Sequence, residues 1–410
     1  MPPDRFPRIL PVEPGHGTLE ALRESNRSRV IDALREHGAI SRAEISRKTH
    51  LSRSTVSTVV RDLAATSIVV EVGPRDGAGE KARGGRPGVP VALSESAGYA
   101  LGIDVGHRML RVAVCDLGHR IVAERAEPLS GLGPEETLDF AARLARTCLD
   151  QAHVSADRVV GVAMSLPAPI DAETGAIGAP YLMPGWADVA VGAEISRRLA
   201  IAVRVDNDAN MCTLAEAFWG AGRGCDDLVY VKAGAGIGCG LMIAGRLHRG
   251  ASGTAGEIGH TTVIQDGRLC KCGNRGCLET VASAEAITGP LGRPGQPEIS
   301  LPLAIEMAMN GDRGARRVVE DAAAAIGVAL ANLCNILNPS RIVIGGELTQ
   351  AEHLLFDPLR SAVRRSAIQA ATDAVDLVPA QLGERAEVLG ALALVLSDSR
   401  QFMLTAPSRA

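Results

Sequence analysis

The sequence predicts an α/β chain in which a small winged helix-turn-helix head precedes a larger two-lobed body. Three observations predict it. Residues 25–92 carry three short helical patterns followed by two strand-like runs around a basic, glycine-rich loop. Beyond residue 95, apolar strand runs alternate with long apolar helical runs, the pattern of layered α/β sheets. A Cys/His cluster then stands beside several carboxylates in GTAGEIGHTTVIQDGRLCKCGNRGCLET. The expected divisions are an arm over 1–24, expected to be flexible, a head over 25–94 and a body over 95–410. Within the body, a first lobe takes about 95–209 plus the C-terminal helix, and a second lobe takes about 210–384.

Composition sets the bounds. A chain of 410 residues has room for two to three domains, and 46% apolar with 22% charged residues is ordinary globular material. Aromatics make up only 2%, so Ala, Val, Leu and Ile must fill the cores. The formal charge of −4 hides an asymmetry: residues 1–92 hold 15 Lys+Arg against 11 Asp+Glu, while the remainder is acidic. A positive head on a negative body fits nucleic-acid binding by the head alone. No apolar run has signal-peptide length and none approaches 18 residues, so a cytoplasmic protein with no membrane partner is expected. Three of the nine cysteines fall within eight residues, which suits metal ligation in a reducing compartment better than disulfides.

In the head, Ser25 is the expected cap of a first helix whose Val30, Ile31 and Leu34 share one face, and Gly38 is its stop. Ser41 and Glu44 form an S-x-x-E capping box for a second helix, with Ile45 turned inward. A turn at His50–Leu51 leads to Ser52, the cap of a third helix that buries Val56, Val59, Val60 and Leu63. Two short helices joined by a tight turn make a helix-turn-helix, and the N-terminal residues of its second helix meet base edges in the major groove. Arg53, Ser54, Thr55 and Ser57 stand there. The runs SIVVEV and VPVAL predict a two-stranded wing, with Lys81, Arg83 and Arg86 among the glycines of its tip. Arginines so placed can enter a narrow minor groove.

In the body, LGIDVGHRMLRVAV predicts two strands with a turn at Val105–Arg108, and Asp104 and Gly106 sit at that turn. The run IAVRVDNDANMCTLAEAF predicts a strand, a polar turn and a helix, which places Asn207 and Asp208 at a strand end, where open α/β sheets hold ligands. A carboxylate there accepts a hydrogen bond from a sugar hydroxyl, or serves as the base that deprotonates one. Asp206, Asn207 or Asp208 can equally cap the helix. The run DLVYVKAGAGIGCGLMIAG predicts a glycine-rich hairpin, and the Gly345–Gly346 pair after a later strand could approach an adenosine or form an ordinary strand-to-helix turn, of which the second is favoured.

His260, Cys270, Cys272 and Cys277 are the strongest chemical signal. Three thiolates and one imidazole match a closed tetrahedral zinc site of structural type. Gly273 and Gly276 permit the turns that aim the cysteines at one ion. Glu257 and Glu279 bracket this knot, so a bound zinc would fix two loops and let both carboxylates, with the second face of His260, line a sugar pocket.

Taken together, G-E-I-G-H, C-x-C-G-x-x-G-C-x-E, the D-N-D-A-N turn and the glycine hairpin resemble the ROK family of repressors and sugar kinases, whose body has the actin/hexokinase-like fold. With the winged helix added, the chain resembles the xylose-repressor-like transcriptional regulators of that family over nearly all of residues 20–400. The resemblance implies a homodimer or higher homo-oligomer on a palindromic double-stranded DNA operator, with a monosaccharide or sugar phosphate as effector. It carries sugar contacts to Asn207, Asp208, Glu257, His260 and Glu279, and structural zinc to His260, Cys270, Cys272 and Cys277. Kinases of this fold grip phosphate with Asp-x-Gly-Gly-Thr and with a Thr between two hairpin glycines. Here those positions hold His107, Arg108 and Ala235. A bulky ring and a guanidinium replace a backbone-approach glycine and a hydroxyl, so catalysis is not expected. The competing expectation is an active ATP-dependent sugar kinase with an added DNA-binding head, in which Asp208 is the base.

Overall fold

The structure is a computed structural model that describes residues 19–65, 68–72, 89–94, 98–117, 119–129, 131–171, 174–178, 183–187, 189–292, 295 and 297–397. The chain divides into two compact units, with the main boundary at Gly98–Tyr99.

The head opens with α1 (Leu19–His37). It begins upstream of the expected start, so Ser25 lies inside the helix rather than at its cap, and residues 19–24 of the expected arm are helical. The stretch LEALRES is rich in good helix formers, and a single cap-type residue does not stop a helix that its neighbours favour. Val30, Ile31 and Leu34 are buried, as their spacing requires. After β1 (Ile40–Ser41) comes α2 (Arg42–Thr49), started by the capping box: Glu44 N donates to Ser41 Oγ at 3.3 Å, and Ser41 N donates to Glu44 Oε2 at 2.9 Å. His50 takes a left-handed φ of 55° and ends α2. Ser52 Oγ then accepts from Thr55 N at 3.1 Å to start α3 (Arg53–Ala65). Caps of this kind contribute about 1 kcal/mol each. Ile45, Val56, Val60 and Leu63 pack with the apolar face of α1 into one core.

The wing strands are β2 (Val69–Glu71) and β3 (Pro90–Leu93), antiparallel as expected. β1 joins them through Ile40 opposite Val91, a third strand that the sequence reading did not include. Two residues are too few to show a period. The loop carrying Lys81, Arg83 and Arg86 lies outside the described residues.

The body contains the same sheet twice. In the first lobe, β4 (Tyr99–Val105), β5 (Met109–Asp116) and β6 (Ile121–Pro128) form a meander. Helix α4 (Pro134–Gln151) leads to β7 (Val159–Leu166), and α5 (Val191–Leu199) leads to β8 (Val203–Asn207). The order is β6-β5-β4-β7-β8, with β4, β7 and β8 parallel. α6 (Asp208–Trp219) follows and opens the second lobe with β9 (Leu228–Ala233), β10 (Ile237–Ile243) and β11 (Arg246–His248). The short α7 (Glu279–Ala282) and α8 (Ala284–Thr288), then α9 (Leu301–Met309) and α10 (Arg313–Leu337), lead to β12 (Arg341–Gly345). α11 (His353–Ser366) and α12 (Gln369–Ala374) lead to β13 (Asp376–Pro379), giving the order β11-β10-β9-β12-β13. The hairpins β4–β5 and β9–β10 are therefore equivalent positions in the two lobes.

The last helix, α13 (Ala386–Ser397), is buried along nearly its whole length. It packs on β4 and β7 and also on α6, so α6 and α13 lie between the two sheets. Ala, Val, Leu and Ile fill the two lobe cores, as the scarcity of aromatics demands. Among the described helices α10 alone is long and apolar enough to cross a membrane; half of that stretch is buried, largely against α11.

Candidate functional site

On the head, α3 presents Arg53 and Ser54 to solvent, with Thr55 and Ser57 partly covered. The hydroxyls of Ser54 and Thr55 lie 2.8 and 2.7 Å from Ser52 Oγ, so both share the helix cap. Arg53 places an exposed positive charge at the N-terminal end of the expected recognition helix.

On the body, the D-N-D-A-N turn separates three duties that its sequence leaves merged. Asp206 is buried and faces inward: its Oδ1 accepts from Asn210 Nδ2 at 2.8 Å, and its Oδ2 accepts from Arg249 Nε at 2.7 Å. Asn207 is the cap of α6, accepting from Ala209 N at 2.9 Å and Asn210 N at 3.3 Å, while its Nδ2 donates to Ala168 O at 3.1 Å. The capping reading thus holds for Asn207. Asp208 is the first residue of α6, and its Oδ1 accepts from Ala209 N at 2.8 Å, where the positive end of the helix favours an anion.

The other oxygen of Asp208 is held by a lysine that the sequence reading passed over. Lys232 on β9 donates to Asp208 Oδ2 at 2.7 Å and lies 2.6 Å from Glu387 Oε1 at the start of α13. A kinase needs that side of the carboxylate free for the attacking hydroxyl and the space beyond it for the phosphoryl group. A signal existed: Lys232 is one of four lysines in the chain and interrupts an apolar strand run. Asp104, at the end of β4, is buried near this group. Desolvation, reinforced by Glu387 and only partly offset by Lys232, pushes its carboxyl up to about 7.

The residues that depart from the phosphate motifs stand close by. The His107 imidazole is held below its ordinary range by desolvation and by Lys232, Lys271 and Arg108, against the opposing pull of Asp208. Arg108, in the first hairpin turn, pairs with Glu347 beyond β12 and so spans from one lobe to the other. Gly345–Gly346 leads through a short 3-10 segment over Glu347–Ala351 into α11, as the strand-to-helix reading expects.

The predicted Cys/His knot comes together. His260, Cys270, Cys272 and Cys277 present ligand atoms within 4.8 Å of one another. Cys272 Sγ lies 3.7 Å from Cys277 Sγ, and Cys270 Sγ lies 3.5 Å from His260 Nδ1. A tetrahedral ion with metal–sulfur bonds of about 2.3 Å and a metal–nitrogen bond of about 2.0 Å requires edges of about 3.8 and about 3.5 Å, so these side chains can hold a divalent metal with four protein ligands. Gly276 makes the fold-back possible: its φ is +65°, and a Cβ there would stand 1.5 Å from Ile264 O.

His260 joins this knot to the cleft. Its Nε2 points to the carboxylates, 3.6 Å from Glu279 Oε2 and 3.9 Å from Glu257 Oε2. Glu279 also pairs with Lys271 at 2.8 Å, and its Oε1 stands 3.1 Å from where a Cβ on Gly236 would be. Desolvation first, then Asp208 and Glu279, push the Glu257 carboxyl up to about 7. Asp208, Glu257, His260 and Glu279 therefore converge, with Asn207 behind them as a cap. The arrangement can accept hydrogen bonds from a polyhydroxyl ligand through several carboxylate oxygens.

Comparison with known proteins supplies the lineage. The model of the ROK family matches residues 100–398, and a winged helix-turn-helix DNA-binding model matches residues 23–70. The chain is 29% identical over 375 residues to the xylose repressor of Bacillus subtilis (strain 168), covering 92% of this chain and 96% of that protein. It aligns with the crystal structure of a ROK family transcriptional regulator, a homolog of the E. coli MLC protein, at a TM-score of 0.80 and 26% identity, over 94% of this chain and 99% of the other. The body alone is similar to the ROK hexokinase from Thermus thermophilus, with a TM-score of 0.63 and 30% identity over 72% of this chain and 97% of that one. The chain belongs to the ROK family and carries an N-terminal winged helix-turn-helix ahead of the family body.

Proposed function

We propose that the protein is a sugar-responsive, DNA-binding transcriptional repressor of carbohydrate-utilisation genes that works in the cytoplasm. The observation that carries the reading is one chain joining a winged helix-turn-helix to a carboxylate-lined cleft whose base position, Asp208, is already held by Lys232. The whole-length similarity to a xylose repressor supports it. In this reading Arg53, Ser54, Thr55 and Ser57 on α3 read the major groove, and Lys81, Arg83 and Arg86 of the wing contact the backbone and minor groove. The operator is palindromic double-stranded DNA and the protein binds it as a homodimer. The effector is a monosaccharide or its phosphate ester, held by Asp208, Glu257, His260 and Glu279, with Asn207 fixing the turn. Zinc is the metal that three thiolates and one imidazole select. It is structural: it locks the loop of Cys270–Cys277 to His260 and so places Glu279. A sugar changes operator affinity only by binding two conformations of the protein unequally.

The second reading, an active sugar kinase with a DNA-binding head, is favoured by the hexokinase similarity and the retention of Asp208. His107, Arg108, Ala235 and the Lys232 clamp oppose it. The experiment is a mobility-shift assay on the DNA upstream of the protein's own gene, with and without a sugar panel, beside a coupled ADP assay on the same panel. A sugar-dependent shift without turnover is expected. Turnover abolished by Asp208→Asn would establish the kinase reading instead.

A further inference from the structure

The effector cleft is rich in charge, and the balance of that charge selects among ligands. Asp104, Asp208 and Glu387 surround Lys232, and Glu257 stands near both Asp208 and Glu279. Two of these five carboxyl groups, Asp104 and Glu257, are pushed up to about 7, so the charge rests mainly on Asp208, Glu279 and Glu387, and the same region offers two ammonium groups, Lys232 and Lys271. Neither is free. Lys232 lies between two carboxylates at 2.7 and 2.6 Å, and Lys271 is 2.8 Å from Glu279. The two guanidiniums nearby are spent in the same way, Arg108 on Glu347 and Arg249 on Asp206. His107, a further basic group, is biased toward its neutral form by its surroundings.

A phosphate ester brings about two negative charges at neutral pH. Sites that hold such groups offer uncommitted Arg or Lys, or a run of backbone N–H groups at a glycine-rich turn. Among the described residues of this cleft every cation already has a carboxylate partner. The first hairpin turn carries His107 and Arg108 where backbone approach would need small residues. Lys271 and Arg108 are exposed and would serve a phosphate only by leaving Glu279 and Glu347; beside Asp208 itself the cation is Lys232, which would have to leave both Asp208 and Glu387, two largely buried carboxylates that would then be uncompensated. A neutral sugar makes no such demand. Its hydroxyls donate to carboxylate oxygens that have spare lone pairs, and the Lys232 pairing stays intact.

We infer that the effector is an uncharged sugar and not its phosphate ester, with Lys232 as the residue that sets this preference by keeping Asp208 and Glu387 paired inside the cleft. The inference rests on the sugar-binding reading above and narrows its ligand class. Lys232 acts here as a specificity residue: it pairs with Asp208, which receives a sugar hydroxyl, and is held there by Glu387, which is outside the set of sugar contacts, so it is not released to an anionic group.

The test is calorimetric titration of the full chain with matched pairs: xylose, glucose, mannose and N-acetylglucosamine, each against its terminal phosphate ester. The neutral member of one pair is expected to bind at least about thirtyfold more tightly than its ester, the cost of placing a dianion beside unpaired carboxylates. Glu387→Gln, which releases Lys232 from one partner, is expected to raise affinity for the ester about tenfold and to change that for the neutral sugar less than about twofold. Tighter binding of an ester by the parent protein would overturn the inference and leave the sugar-binding reading standing. An ester-to-sugar ratio unmoved in Glu387→Gln would remove Lys232 as its source. Binding of neither member of any pair would overturn the sugar-binding reading itself, and the inference with it.

Discussion

The imidazole of His260 and the carboxylate of Glu279 stand 3.6 Å apart, and through that contact the Cys/His knot reaches the cleft. His260 turns Nδ1 to Cys270 and Nε2 to Glu279. A metal ligand whose other nitrogen faces a carboxylate has its ring orientation fixed, and it fixes the carboxylate in return. Three consequences of the folded chain and one of its head can be measured.

Cys272→Ser removes one thiolate from the knot. The variant is expected to lose its metal, as read by elemental analysis of the purified protein, and to bind sugar at least about tenfold more weakly, because His260 no longer holds Glu279 in place. Parental sugar affinity in a metal-free variant would show the knot to be dispensable for the pocket.

Gly276→Ala tests the same loop without touching a ligand. The backbone there has a φ of +65° and Ile264 O fills the space a Cβ would need. A loss of about 1–3 kcal/mol is expected on urea unfolding, from the strained conformation and the displaced carbonyl. Metal content should fall with it, and a variant of unchanged stability and metal content would contradict the packing described.

Asp104 gives the stability a pH dependence. Its carboxyl lies at about 7 in the folded protein, against an ordinary value of 3.8. The folded state therefore keeps a proton that the unfolded chain has released. This contribution is complete below the unfolded value and is lost as pH rises through about 7, at up to about 1.4 kcal/mol per pH unit. Asp104→Asn should lose less stability than the parent between pH 5 and pH 8. Urea midpoints at four pH values decide it, and parallel profiles for the two proteins would assign the pH dependence to other groups.

Arg53→Ala tests the division of labour between head and body. Operator affinity is expected to fall by about 1–3 kcal/mol if Arg53 reads a base edge; if it meets only phosphate, the salt dependence should flatten by about one contact. The melting shift produced by sugar should be unchanged. An equal loss of sugar response would refute a head that reads DNA independently of the cleft.

Much of the head could be read directly because its signals are local. The capping box of Ser41 and Glu44, the inward set Val56, Val59, Val60 and Leu63, and the wing strands were all legible from period and cap chemistry. Ser25 failed as a cap because a helix start depends on the stretch before it as much as on one side chain. The knot of His260, Cys270, Cys272 and Cys277 was legible because soft ligands clustered among glycines have few other uses.

The sequence by itself determined which groups could serve: caps, apolar faces, thiolates, and the substitutions at His107, Arg108 and Ala235 that part with the phosphate motifs. Only the tertiary structure decided which of them meet. Asp206, Asn207 and Asp208 are adjacent in the chain yet point to a half-buried arginine, a helix end and Lys232, because strand β8 gives way to helix α6 between Asn207 and Asp208. Lys232 and Glu387 are far apart in sequence and form an ion pair only because β9 and α13 come from different ends of the body and close on one another. Period and propensity act over a few residues, whereas the charge balance of a cleft is set by contacts between distant segments, and those exist only after the two sheets have packed around α6 and α13.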